Sequence, residues 1–84
     1  MRELDVVRVR HLKLLARPFD GTETVKRAPR IGDVGAIVHE YLGGDPEGPV
    51  AVEMVNAEGL TLWLADFERD ELELVSRHDR TAVE

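Results

Sequence analysis

From Ile31 onward the chain is interrupted by turn-forming residues at short intervals, and this punctuation limits what it can fold into. Gly32-Asp33, Gly43-Gly44-Asp45-Pro46-Glu47-Gly48-Pro49 and Asn56-Ala57-Glu58-Gly59 separate apolar stretches too short for ordinary helices. Those stretches, residues 34–41, 50–55 and 60–65, are rich in β-branched and aliphatic residues and tend toward a period of two, which predicts strands. In 60–65, Leu60, Leu62 and Leu64 are expected to face a core, with Thr61, Trp63 and Ala65 on the other side. In 50–55, Val50, Val52 and Met54 share a face. Gly35 breaks the alternation of its strand and predicts a bulge or a close backbone approach. Gly32 and Gly59 suit left-handed turn positions. Residues 4–9 and 71–75 read as two further short strands, and residues 66–69 as one helical turn, with Asp66 able to accept a bond from the amide of Glu68 or Arg69.

Between the first and second strands lies a stretch without a clear period, residues 10–30. Residues 11–17 suit one or two helical turns or an irregular strand extension. Pro18 stops a helix there, and Phe19-Asp20-Gly21-Thr22 suits a turn. A structureless loop of this length is uncommon in a compact domain, so the segment is either functional or structured in a way its pattern hides.

The resulting layout is all-β: five short, mostly antiparallel strands, a long first loop, tight later connections and one helical turn before the last strand. A sheet this small must curl to bury its one apolar face, and closing it removes its edges. The expected architecture is therefore a small five-stranded SH3-like barrel over residues 1–76, with the long loop at 10–30 and a polar tail at 77–84 expected to fray. A five-stranded oligonucleotide-type barrel is the alternative fold. At 84 residues, a total stability of about 4–12 kcal/mol is expected, with room for one small core and no deep pocket.

The net charge of −6 conceals an asymmetry. Residues 1–30 carry eight basic and four acidic groups, a net of +4; residues 31–84 carry three and thirteen, a net of −10. Such a split marks either a basic contact surface or two halves whose charges interleave on folding. The nucleic-acid version of the first reading would use Arg10, Lys13, Arg17, Lys26, Arg27 and Arg30, with Arg8 beside them. Against it, the domain is acidic overall and only Phe19 is available among these residues for stacking on bases.

Chemistry-bearing constellations are sparse. There is no cysteine, so there is no disulfide, thiolate metal site or cysteine nucleophile. His11, His39 and His78 lack ligand spacing, and Ser76, the sole serine, has no nucleophile elbow around it. The carboxylates at 66–73 lack the calcium-loop pattern and read as a solvated face. No catalytic residue, metal or cofactor is expected. No apolar run exceeds four residues and the first residues do not form a signal peptide, so a soluble cytoplasmic chain is expected.

The chain resembles the domain-of-unknown-function 4926 family of short bacterial proteins. The resemblance rests on residues 4–7, on Ile31-Gly32-Asp33-Val34-Gly35-Ala36-Ile37-Val38-His39-Glu40-Tyr41, and on residues 50–55 and 58–64, about three-quarters of the chain. It implies an SH3-like barrel, no known catalytic residues and no agreed activity. The short G-x-x-G-x-I-V element is also similar to the KOW motifs of ribosome and transcription proteins. The basic stretch from Leu12 to Arg30 is longer than the family's usual link, so its role cannot be inherited.

The function expected is that of a non-catalytic interaction module. A protein or peptide partner, a second copy of the chain included, would dock on the surface made by the first loop and the Tyr41/Trp63 side of the sheet, using Trp63, Tyr41, Phe19 and Leu15. Two readings of Trp63 stay open: exposed on the outer face, or covered by the loop through Leu14, Leu15 or Phe19. The alternative is a KOW-like nucleic-acid-binding module using the basic residues named above.

Overall fold

The computed structural model describes residues 1–14 and 16–78. Five strands, β1 (Val6–Val9), β2 (Val34–Glu40), β3 (Val50–Val55), β4 (Thr61–Phe67) and β5 (Leu72–Ser76), form one antiparallel sheet in the order β4-β3-β2-β1-β5. The expected strands are present, with boundaries shifted by up to two residues. Among the described residues the sheet is open: no ladder joins β4 to β5.

Strands β1 to β4 each bury β-branched or aromatic side chains on one face, while β5 contributes Leu72 alone. Val7, Val9, Ile37, Val50, Val52, Trp63, Ala65, Phe67 and Leu72 form a single core, with Leu12, Phe19, Met54 and Leu62 packed against its margin. The expected face of β4 is inverted. Trp63, Ala65 and Phe67 point inward because they pair across the ladder with Met54, Val52 and Val50, the inward row of β3. Leu64 sits opposite Glu53 on the outer face, and Leu60 is exposed. Two features outweigh the leucine alternation. The strand runs on to Phe67, which adds a second ring 5.5 Å from that of Trp63. The indole N–H also finds an acceptor, donating to Asp33 Oδ2 at 2.9 Å, so the largest side chain is buried without an orphaned donor.

The glycine expectations hold. A Cβ on Gly35 would lie 2.5 Å from the carbonyl oxygen of Glu53, so β2 and β3 approach there as only glycine allows. The β2–β3 register slips between Ile37 and His39, which accounts for the broken alternation. Gly32 and Gly59 take positive φ, and the side chain of Asn56 accepts from the amides of Glu58 and Leu60 to close the β3–β4 turn.

The helical turn lies later than expected. Phe67 ends β4, and a 3-10 turn, Arg69–Glu71, follows; Glu71, not Asp66, caps it by accepting from the Glu68 amide at 2.9 Å. In the β2–β3 connection, Leu42, Gly43 and Gly44 all have positive φ (57°, 65° and 82°), a single left-handed turn in which Leu42 leaves its side chain 71% exposed.

The first loop is structured, by backbone pairing its sequence pattern hides. Asp20 and Leu64 exchange both hydrogen bonds of a bridge, Thr22 N–H donates to Thr61 O, and Arg27 N–H donates to Leu62 O. The loop thus runs along the outer edge of β4 and satisfies groups that would otherwise invite another chain. Asp5, fully buried, accepts from the amides of Arg2 and His78 and so ties the segment before β1 to the one after β5. Of the expected tail, 79–84 lie outside the described residues.

Candidate functional site

The first loop, the β2–β3 connection and the 3-10 turn come together at one end of the sheet, and buried polar groups hold them there. Glu71 is 2% exposed. Its carboxylate accepts from the backbone amides of Lys13 and Glu68 and from both terminal nitrogens of Arg17, one at 3.2 Å and the other at a closer approach. The Arg17 guanidinium also donates to the carbonyls of Asp66 and Leu14 and lies 4.3 Å from the centre of the Phe67 ring. Burial pushes the Glu71 carboxyl up, but these donors, Arg17 foremost, outweigh it and hold it below the usual carboxylate range.

Arg69 does the same for the β2–β3 connection. Its guanidinium donates to the carbonyls of Gly48, Asp45 and Met1 and to Glu40 Oε1. Tyr41 closes the corner: its hydroxyl donates to Asp66 Oδ1 at 2.7 Å, which pushes the phenol pKa up, and its ring meets His39 edge-on at 4.6 Å.

Between these walls runs a shallow groove. One end is a mainly apolar pocket of about 210 Å³ lined by Leu14, Phe67, Pro49 and the Lys13, Arg17 and Glu68 side chains. A second shallow pocket, at Pro46, Glu47, Arg69 and Asp70, adjoins it through Pro49 and Glu68, and a third, at Arg2, Glu40, Gly43 and Gly44, adjoins the second through Pro46 and Arg69. Leu14 is 62% exposed at its rim. The groove offers apolar contact and fixed charges, with no nucleophile–base pair across it. Among the described residues, no group of His, Asp and Glu side chains is placed to hold a metal ion, and no helix is long and apolar enough to cross a membrane.

Of the four residues expected to bind a partner, Tyr41 does not line the groove and reaches its margin only through the hydrogen bond to Asp66. Trp63 does not line it either: it is fully buried on the inward face of β4, so neither expected reading holds, since both placed it on the outer face. Phe19 is half-buried against the same core, and Leu15 lies outside the described residues. Pattern reading missed Leu14, Pro46, Pro49, Glu68 and Asp70. Their signal was positional: each lies in or beside a connection that the sheet order gathers at one end.

The basic segment folds onto acidic groups. Arg8 pairs with Glu73, Lys13 with Glu68 and Asp70, Arg17 with Glu71, Lys26 with Glu23 and Arg27 with Asp33, while Arg10 reaches the Asp70 carbonyl. Burial pushes the Asp33 carboxyl up, but Arg27, the Arg30 amide and the Trp63 indole outweigh it and hold it below its usual range. Arg30 is exposed. The charges of the two halves interleave.

Compared with family models, curated proteins and solved structures, the chain matches none.

Proposed function

We propose that the chain is a small, non-catalytic interaction module that binds a segment of a partner protein in the groove between the first loop, the β2–β3 connection and the 3-10 turn. The single observation that carries this reading is the contrast between extensively hydrogen-bonded walls and the apolar side chains left exposed on them. Buried hydrogen bonds of Arg17–Glu71 and part-buried ones of Arg69 fix loops that bury little themselves, while Leu14, Leu42 and Pro46 stay exposed on them. Preorganised loops lower the entropy cost of binding. We read the strand order as that of an SH3-like barrel, in keeping with the family resemblance, with the groove at the end where its long connections meet. The commitment of the basic side chains to carboxylates favours a protein or peptide over nucleic acid.

The test is selection of a displayed library of random dodecapeptides on the intact chain, followed by titration of the selected peptides against Leu14→Asp. Selected peptides should lose about tenfold or more in affinity to this variant, with its thermal unfolding unchanged. Peptides that bind the variant equally well, or a library that yields no binder, would overturn the reading.

A further inference from the structure

We infer that the segment taken by this groove is cationic, and that its lysine or arginine displaces Lys13 from the clasp formed by Glu68 and Asp70. The inference rests on the groove being the docking surface and specifies the chemistry of its occupant.

The charges along the groove are unequally committed. Arg17 is buried against Glu71, and Arg69 is turned inward onto three carbonyls and Glu40, so neither guanidinium is offered to an incoming anion. Glu71 and Glu40 are turned inward with those guanidinium groups, but three other carboxylates face outward. The Glu68 and Asp70 side chains are 69% and 62% exposed, and Glu47 is exposed across the same stretch of groove. What an approaching chain meets is therefore an apolar pocket at Leu14 and Pro49 beside a surplus of negative charge, complementary to an apolar side chain followed by a cation.

Lys13 shows what the clasp can hold. Its ammonium lies 3.0 Å from Glu68 Oε1 and 2.7 Å from Asp70 Oδ2, at the end of a flexible, 45% exposed side chain. An exposed pair of this kind is weak and exchanges readily with another cation. The Lys13 backbone stays on Glu71 whatever its side chain does. Lys13 thus acts as an internal competitor for the position a partner's cation would occupy.

This gives a test whose sign a purely structural role for Lys13 does not share. Peptides selected from the same library should be enriched in lysine and arginine. Their affinity should fall about fivefold with Glu68→Gln and again with Asp70→Asn, rise by a similar factor with Lys13→Gln, and weaken with salt. Selected peptides without cations whose binding still depends on Leu14 would overturn this inference and leave the docking groove standing. Weaker binding to Lys13→Gln would overturn it as well, by making Lys13 a support of the groove. Binding that ignores Leu14, Glu68 and Asp70 alike would remove both. A second copy of the chain as occupant, seen as a doubled solution mass abolished by Leu14→Asp, or a salt-sensitive shift with RNA or DNA, would overturn the cationic-peptide assignment.

Discussion

Arg17, Trp63 and Leu42 each settle a local conflict in a way the sequence alone leaves open. Arg17 lies in a basic stretch, and its neighbours remain at the surface; it is buried because Glu71, Asp66 O and the Phe67 ring together meet its donors and its charge. Replacing it with Met leaves a buried carboxylate with only its two backbone donors. Burial then meets less opposition, and the Glu71 carboxyl rises from the level at which Arg17 held it. The expected cost is about 3 kcal/mol or more at neutral pH, shrinking as pH falls toward and below about 4, because a protonated Glu71 no longer needs the guanidinium. Urea unfolding at both pH values checks this, and a cost independent of pH would contradict it. Leu42 is held at φ 57° with its side chain outside the core. Leu42→Gly should raise stability by about 1 kcal/mol, measured by thermal unfolding, because the left-handed conformation is costly for a side chain and free for glycine. Leucine alternation alone places Trp63 outward; the reach of the strand to Phe67, together with Asp33, an acceptor thirty residues away in the chain, turns it inward. Trp63→Ala should cost about 3–5 kcal/mol, a large share of the total expected for this chain.

At the scale of elements, the strands and tight turns were legible because they depend on local chemistry: β-branched runs, Asn56 at a hairpin, glycine where φ is positive. The first loop was not, because it pairs with β4 through backbone groups, which carry no side-chain period. Its edge-covering role has a direct check. Asp20→Pro removes the N–H that donates to Leu64 O, and the ring should push the loop off the β4 edge. Amide exchange at Leu64, whose N–H is held by Asp20 O, should then accelerate, while amides of the central strand β2 keep their protection. Unchanged exchange at Leu64 would mean that the edge is covered by something other than this bridge. The groove was legible only in part: the first loop belonged to the expected surface, but Tyr41 does not line the groove, and the 3-10 turn joins the loop only through the sheet order.

At the scale of the whole molecule, the −6 charge is the remainder of an interleaved surface whose acidic members outnumber their partners. Hydrogen bonds, chiefly from the Glu3 amide to Glu40 and from Lys13 to Asp70, hold those two carboxyls below their usual range, as the donors to Asp33 and Glu71 do theirs despite burial. Each group therefore binds protons more readily unfolded than folded. The stability they contribute is present above the ordinary carboxylate range of about 4 and is lost as pH falls through it toward their lowered folded values. Unfolding free energy should be nearly level from about pH 6 to 8 and decline below about 4.5. The same carboxylate surplus shapes the account of function, since an acidic rim beside an apolar pocket selects cations. The most direct test of that account is a map of backbone amide shifts in the intact chain as a selected cationic peptide is titrated in. The expected shifts are concentrated in residues 13–17, 41–49 and 66–71. Shifts centred on the outer face of β1 and β2 or on the edge of β5, with those three connections unmoved, would contradict it.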